Sequence, residues 1–133
     1  MATPAFNIPE VAFIICHHVG RLVDRCLASV QTTQGVTFET VVLTSDPTYT
    51  TTQAALYFVE GGPAHKRNVG VRRTRAPVLV FLDDDVEVSP YTAYQFVRFL
   101  QQTPRCGMAF AKIYKMEEGR RDEFDAAGSW LTW

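Results

Sequence analysis

Three consecutive carboxylates follow an apolar run in the stretch "VLVFLDDDVEVSP", which spans residues 78–90. Ionised side chains about 5 Å apart repel each other by about 3 kcal/mol at an effective dielectric constant of about 20. Such repulsion either raises a pKa or recruits a cation. A solvated surface turn would tolerate the cluster cheaply, but Asp83, Asp84 and Asp85 come at the end of a predicted buried strand. Their position therefore favours a functional site.

A basic segment, "GGPAHKRNVGVRRTR" at residues 61–75, precedes this strand. Its Gly-Gly-Pro start predicts a helix with Pro63 in the first turn, where free backbone N–H groups and the helix dipole favour an anion. Lys66 and Arg67 lie in that first turn, and a bound polyanion such as a diphosphate accounts best for basic side chains there. Cations are favoured at a helix C-terminus in any case. At that end the sequence indicates a solvated basic face formed by Arg72, Arg73 and Arg75.

Carboxylates that face a basic helix start predict one kind of ligand, a diphosphate with a divalent cation. Magnesium and manganese prefer oxygen ligands and are commonly held by one or two carboxylates together with phosphate oxygens. The adjacent His17 and His18 do not predict zinc, because neighbours on an extended chain cannot easily face one metal and no partner has ligand spacing. We interpret these histidines as loop or packing residues.

The elements that must position these residues alternate along the chain. Apolar and β-branched runs predict strands at residues 11–15, 38–43, 55–59, 78–82 and 107–114. Helical spacing predicts helices at 21–31, at 63–75, and from Ser89 and Pro90 to a point before Pro104. The aromatic residues expected in the core are Phe96, Phe99, Phe110 and Tyr114.

Alternating strands and helices indicate an α/β fold, a mostly parallel sheet flanked by helices. Ligands of such sheets bind beyond the carboxyl ends of the strands. The predicted site is therefore a rim of four loops, at residues 16–18, 44–46, 62–67 and 83–85.

Bulk composition limits the classes of function. The chain has 133 residues, 47% hydrophobic and 20% charged, which is typical of one folded domain. A net charge of −1 gives no global basic field, so no nucleic-acid partner is expected. Cys16, Cys26 and Cys106 form an odd set without metal-ligand spacing, which indicates reduced thiols of an intracellular protein. With no secretion signal and no apolar run of about 18 residues, we predict a cytoplasmic location, with the cytoplasmic face of a membrane left open.

The stretch "GGPAHKRNVGVRRTRAPVLVFLDDDVEVSP" resembles the core of the family 2 glycosyltransferases of the GT-A fold. The family pattern is a G-x-A-x-x-R-N-x-G helix start, a small spacer, an apolar strand, and an acid-x-acid motif before a proline-opened helix. "VAFIICHHVGRLVDRCLASV" resembles the family's first strand and helix, and "FETVVLTSDPT" its second strand. The resemblance implies a GT-A type, Rossmann-like sheet, with a leader at residues 1–10 and a nucleotide-diphospho-sugar-binding domain at residues 11–133. Because the chain stops on the aromatic segment "FDAAGSWLTW", we expect that domain to be truncated at its C-terminus.

The resemblance also implies which residues hold the donor. Asp83 and Asp85 would be the ligands of the divalent cation, Mn²⁺ or Mg²⁺. Asp83 and Asp84 would also contact the nucleotide, with the ribose as the expected partner of Asp83. Arg67, helped by Lys66, would approach the phosphates of the donor.

The loops expected to contact the base depart from the family pattern. Cys16 and His18 stand where the family usually has proline and tyrosine. Thr44 and Ser45 occupy the position of an aspartate that normally reads the base, and Asp46 is the expected substitute. The usual base is uracil, so a UDP-sugar is the expected donor, but these departures leave the base open.

For activity, the resemblance implies an inverting, metal-dependent transfer of the sugar to an acceptor hydroxyl on a saccharide, a lipid or a protein. A carboxylate would deprotonate that hydroxyl while the cation stabilises the departing diphosphate. The family's general base lies well beyond the acid-x-acid motif, so we expect it outside this chain. The later acids are interpreted as a charged surface loop that comprises Glu117, Glu118, Asp122, Glu123 and Asp125.

Two other functions stay open. One is a phosphotransferase or phosphatase with a nucleophilic aspartate, although its D-x-D-x motif normally follows the first strand and has Thr or Val where this chain has Glu87. The other is a non-catalytic nucleotide-binding or oligomerising module that lacks the acceptor half. Exposed Trp130 and Trp133 would then favour a homo-oligomer or a missing C-terminal portion as the partner.

Overall fold

A computed structural model describes residues 7–117 and 120–124, with the side chains of residues 7–114. The chain divides into two compact units, Met1–Val97 and Arg98–Trp133. All four loops of the predicted rim belong to the first unit. No helix in the described ranges is long and apolar enough to cross a membrane.

A four-stranded sheet forms the centre of the first unit. Its strands are β1 (Val11–His17), β2 (Phe38–Thr44), β3 (Ala55–Phe58) and β4 (Val78–Asp83). They lie in the order β3-β2-β1-β4, and every pairing is parallel. Strand β1 has a neighbour on each side and is buried on both faces, which explains why its sequence is an almost unbroken apolar run. The α/β fold with a mostly parallel sheet is confirmed.

Three helices follow strands of this sheet: α1 (Asp24–Gln31), α2 (Pro63–Arg72) and α3 (Thr92–Gln102). Helix α1 begins later than predicted because Gly20 has a φ of 79° and the chain makes a turn there. Helix α3 also begins later, since the hydroxyl groups of Ser89 and Thr92 bond to each other across a turn. It ends before Pro104, as predicted.

Each face of the sheet carries its own hydrophobic core. On one face, Phe13 and Ile15 pack with Leu27 of α1 and Val97 of α3. On the other face, Ile14 packs in a cluster that includes Leu43 and, from α2, Val69. Successive residues of a strand point to opposite faces. The side chains at the ends of these strands are therefore divided between an α1 side and an α2 side.

The second unit contains a hairpin of β5 (Ile113–Glu117) and β6 (Arg120–Phe124), which pair antiparallel. The strand predicted at 107–114 is wrong over most of its length, because the ladder with β6 ends at the Ile113–Phe124 pair. An apolar run becomes a strand only where a partner pairs with it, and the sequence did not reveal β6.

Several residues of this region also differ from expectation. Of the acids predicted in a surface loop, Glu117 lies in β5, and Asp122 and Glu123 lie in β6. Phe96 packs against the first core, whereas three aromatic residues predicted in the core are exposed, namely Phe99, Phe110 and Tyr114. The buried face of α3 is formed by smaller side chains such as Ala93 and Val97. The predictions for Glu118, Asp125, Trp130 and Trp133 lie outside the described residues.

Candidate functional site

The carboxyl ends of β1, β2 and β4 place the predicted site residues in one row. In the parallel register Cys16 pairs with Asp83, and His17 pairs with Thr44. Cys16 and Asp83 point to the α2 side, whereas His17 points to the α1 side. The loops that the sequence predicted to share one rim do share it.

The three acids at the carboxyl end of β4 each contact an arginine. Asp83 Oδ1 accepts a hydrogen bond of 3.2 Å from Arg67 Nη2. Asp85 Oδ2 accepts one of 2.8 Å from Arg21 Nη2, and Asp84 Oδ1 one of 3.3 Å from Arg21 Nε. The side chains of Asp83 and Asp85 are 65% and 62% exposed, while that of Asp84 is 8% exposed. Two carboxylates thus face solvent and one faces the protein.

Asp84 fixes the turn that follows β1. Besides the bond from Arg21, its Oδ2 accepts a hydrogen bond of 3.3 Å from the backbone N–H of His18. Both of its oxygens are therefore engaged with residues of that turn. A contact between Asp84 and the nucleotide stays a prediction, whereas its contacts show a carboxylate that positions Arg21.

Arg21 also belongs to the rim, although its residue type and position did not predict it. Its backbone N–H donates to the His18 carbonyl at 3.1 Å, and the left-handed Gly20 closes the turn. The negative charge of Asp84, followed by that of Asp85, raises the pKa of the Arg21 guanidinium above its ordinary value, so this group stays fully charged. The signal in the sequence is a Gly-Arg pair after the first strand, in which Arg21 was predicted as the first residue of a helix.

His17 is a buried packing residue. Its ring lies 4.5 Å from that of Tyr49, and Nε2 is 2.8 Å from the Arg21 carbonyl oxygen. Because a carbonyl only accepts, Nε2 carries the proton, and in the neutral ring Nδ1 accepts from the Thr44 hydroxyl at 2.8 Å. The packing interpretation is confirmed for His17. Within the described residues, no group of three or more His, Cys, Asp or Glu side chains could hold a metal ion.

Lys66 is almost completely buried, with 2% of its surface exposed. Its Nζ donates to the His17 carbonyl at 2.9 Å and to the Ser45 hydroxyl at 3.1 Å. These bonds tie α2 to the ends of β1 and β2. The two basic side chains therefore point in different directions. Arg67 contacts Asp83 at the end of β4, and Lys66 contacts the ends of β1 and β2.

The two polar residues predicted to contact the base lie in those loops. His18 is exposed, with Nδ1 at 3.4 Å from Ser45 Oγ. Asp46 Oδ1 accepts hydrogen bonds from the Thr48 hydroxyl at 2.7 Å and from the Thr48 N–H at 2.9 Å. The hydroxyl bond, then the backbone bond, lowers the pKa of Asp46. One oxygen of Asp46 thus stabilises its own turn.

Cys16 is half-buried at the carboxyl end of β1, next to the start of α2. Its Sγ is 3.8 Å from the carbonyl oxygen of Pro63, the first residue of α2. Burial raises the pKa of the Cys16 thiol, and the positive charges of Arg67 and Lys66 offset this only in part. The group is therefore a neutral thiol at neutral pH, suited to packing beside a ligand.

Two of these side chains have the right chemistry for a divalent cation. Asp83 and Asp85 offer exposed carboxylate oxygens, and each contacts its arginine through a single oxygen. Magnesium and manganese are commonly held by one or two carboxylates plus phosphate oxygens. Each of the two carboxylates therefore offers the kind of oxygen that such a cation takes, with further ligands left to a bound molecule.

Comparison with known proteins gives a family and solved structures with a similar fold. The profile of the family described as "Glycosyl transferase family 2" matches residues 12–126. The fold is similar to that of TarS from S. aureus in two structures, "Crystal structure of S. aureus TarS" at a TM-score of 0.59 and "Crystal structure of S. aureus TarS 1-349" at 0.60. Each alignment has 20% sequence identity over 70% of this chain. No curated protein matches the chain.

The likeness to TarS extends over only part of that protein. The aligned region is 20% of one TarS chain and 32% of the other, so this chain corresponds to less than a third of their length. At this level of identity the likeness shows the fold alone. The GT-A type fold predicted from the sequence is confirmed.

Proposed function

The chain belongs to glycosyl transferase family 2, and on that premise we propose that it is the donor-binding part of a glycosyltransferase. Its rim would bind a nucleoside-diphosphate sugar together with a divalent cation. The observation that carries the proposal is the pair of exposed carboxylates, Asp83 and Asp85, at the carboxyl end of β4 beside the basic start of α2. A cation and a diphosphate need those two kinds of partner side by side.

The diphosphate would lie at the start of α2. The N-cap Gly62 makes no side-chain hydrogen bond to the first turn, and Pro63 follows it, so backbone N–H groups and the helix dipole are available to an anion. Arg67 adds a planar fork of five donors, of which the Asp83 contact uses one. Phosphate oxygens would take the others.

The acids would supply the protein ligands of the cation. Asp83 and Asp85 have oxygens directed to solvent, the ligand type that Mn²⁺ and Mg²⁺ prefer. A bound cation supplies positive charge that stabilises a departing diphosphate. Asp84 stays on the protein side and keeps the β1 turn against β4.

The base would lie over the loops that follow β1 and β2. His18 and Asp46 border this region, and Cys16 forms its floor toward α2. The Ser45 hydroxyl, beside His18, brings a hydrogen-bond donor there, which suits a carbonyl oxygen of a pyrimidine such as uracil. A UDP-sugar is the donor we propose.

The transfer step itself needs a general base in addition to the residues of the rim. By family membership we propose an inverting attack by an acceptor hydroxyl on the anomeric carbon of the donor, with a carboxylate as general base. None of the described carboxylates outside the rim has contacts that support this function. The acceptor is a saccharide, a lipid or a protein in this proposal.

A thermal-shift panel of UDP, GDP and dTDP, each with and without Mn²⁺, tests the donor site. A ligand present at 100 times its dissociation constant stabilises the folded state by about 2.7 kcal/mol. We expect UDP to raise the unfolding temperature most, and only when Mn²⁺ is present. A folded sample whose unfolding temperature no nucleotide changes would contradict the proposal.

A further inference from the structure

The solvent-facing acids of the rim, Asp83 and Asp85, are each paired with an arginine. Asp85 is held by Arg21, which comes from the turn after β1, and Asp83 by Arg67, which comes from α2. Each arginine thus occupies an oxygen of a carboxylate that suits a divalent cation. A guanidinium beside a carboxylate cancels part of its negative charge and repels a dication, so each arginine weakens cation binding at its acid.

Arg21 is anchored at one end and exposed at the other. Its backbone is fixed by His17 and His18, and its Nε contacts the buried Asp84 at 3.3 Å. The Nη2 end reaches the exposed Asp85 at 2.8 Å. The bond to Asp84 can therefore stay as a pivot while the outer end of the guanidinium changes its partner.

A diphosphate is a stronger partner than a lone carboxylate for that outer end. Phosphate oxygens accept the parallel N–H bonds of a guanidinium and carry more charge than one carboxylate. Once Arg21 turns to a phosphate, Asp85 Oδ2 is released as well and Asp85 loses a nearby positive charge. Both changes favour a dication at Asp85.

The geometry points to an exchange of partners: Arg21 pairs with Asp85 and offsets its charge until a nucleotide binds, and then moves to the diphosphate, so that cation and nucleotide bind cooperatively. This inference rests on the proposed function and adds a positioning residue to it. Because of Arg21, the affinity of the site for Mn²⁺ is low without a diphosphate and higher when a diphosphate is bound. By linkage, Mn²⁺ strengthens nucleotide binding by the same factor.

The test measures Mn²⁺ binding by electron paramagnetic resonance of the free ion, first without nucleotide and then with UDP. In Arg21→Gln, Mn²⁺ alone should bind about five- to twentyfold more tightly at low ionic strength, because a positive charge beside the dication is removed. UDP in the presence of Mn²⁺ should bind about fivefold or more weakly, because a phosphate partner is lost. The cooperativity factor, which is the Mn²⁺ affinity with UDP divided by that without, should fall about five- to twentyfold.

Two further variants separate this effect from a general loss of structure. Arg25→Gln removes the exposed pair that Arg25 forms with Glu87 at 2.9 Å, and it should change neither affinity. Arg21→Lys keeps the charge but lacks the planar fork, so its cooperativity should lie between those of wild type and Arg21→Gln. It also serves as the test variant if Arg21→Gln does not fold.

The outcomes distinguish this inference from the proposed function. If wild type binds Mn²⁺ and UDP cooperatively but Arg21→Gln and Arg21→Lys retain the wild-type factor, the exchange is wrong and the donor site stands. A structural defect would weaken the binding of both ligands, which also overturns the exchange. If wild type binds neither ligand, both proposals are wrong.

Discussion

At the residue scale, Arg67 is the side chain that links the acidic and basic halves of the rim. Its side chain is partly exposed. Within the residues that the structure describes, that side chain makes one hydrogen bond, of 3.2 Å, to Asp83. That bond keeps the guanidinium close to the start of α2, where the diphosphate would lie. A phosphate would therefore find an oriented, charged partner.

Replacement of Arg67 by alanine should weaken diphosphate binding. We expect a loss of about 1.5–3 kcal/mol in binding free energy, the cost of one charge-assisted hydrogen-bonded contact. Calorimetric titration with UDP and with pyrophosphate measures it, and Arg72→Ala, in the last turn of the same helix, is the matched control. Weaker binding of a UDP-sugar with unchanged pyrophosphate affinity would contradict a phosphate contact.

The sequence predicted residue types at the rim better than their contacts. Asp83, Asp85 and Arg67 could be identified because local patterns, an acid run after an apolar strand and a basic helix start, reveal them. Arg21 could not, because its contact with Asp85 spans 64 positions along the chain. The inward direction of Lys66 was likewise hidden, since only the packing of α2 on the sheet buries it.

At the element scale, the position of α2 depends on Gly70. A Cβ at this residue would lie 2.5 Å from Ile14 Cγ2 and 3.0 Å from Leu43 Cδ2. The absence of a side chain therefore lets α2 lie directly on β1 and β2. This close packing is what brings Lys66 to the ends of those strands.

Substitution of Gly70 by alanine should destabilise the fold despite the better helix propensity of alanine. Overpacking costs about 1–3 kcal/mol, against a gain of about 1 kcal/mol from propensity. Urea denaturation should show a net loss, while Asn68→Ala, an exposed position of the same helix, should stay within about 0.5 kcal/mol of wild type. Equal or greater stability of Gly70→Ala would show that α2 does not depend on this contact.

Helix α1 gives a pH-dependent prediction through Cys26, which is buried in the core. Burial, followed by the negative charges of the acids, raises the pKa of this thiol to about 12. The folded state keeps the proton above pH about 8.5, where the unfolded chain loses it. The stabilising effect is therefore complete below pH about 8.5 and declines as the pH rises toward 12.

Urea denaturation between pH 8 and 10 tests this effect. The free energy of unfolding of wild type should fall more steeply than that of Cys26→Ala, by up to about 1.4 kcal/mol per pH unit above pH about 8.5. The free-energy cost of the cavity that the substitution leaves does not depend on pH, so it does not affect the difference between the two slopes. Parallel slopes would mean that Cys26 is not a buried thiol in the folded state.

Helices and strands could be predicted from the sequence where a single local pattern determined the secondary structure. The buried strands β1, β2 and β4 were recognised from continuous apolar runs, and the ends of each could be corrected only from pairing. The start of α1 was misplaced because Gly20 adopts a positive φ that composition does not reveal. The hairpin of β5 and β6 was missed because its strands are polar and pair with each other rather than with the parallel sheet.

At the scale of the whole molecule, the first unit is a parallel sheet with a different core on each face. The order β3-β2-β1-β4 places β1 between β2 and β4, so the strand that carries Cys16 and His17 lies beside both of the other strands that border the rim. Alternating strands and helices predicted this fold class from the sequence, but not the strand order. The order decides which loops become neighbours, and it brings Arg21 beside Asp84 and Asp85.

The central claim is that the rim binds a nucleoside diphosphate with a divalent cation through Asp83 and Asp85. The most direct measurement is calorimetric titration of UDP in the presence and absence of Mn²⁺, with wild type, Asp85→Asn and the control Glu87→Gln, an exposed acid that pairs with Arg25. We predict Mn²⁺-dependent binding by wild type and by Glu87→Gln, and no dependence on Mn²⁺ in Asp85→Asn. Unchanged, Mn²⁺-dependent affinity in Asp85→Asn would contradict the claim.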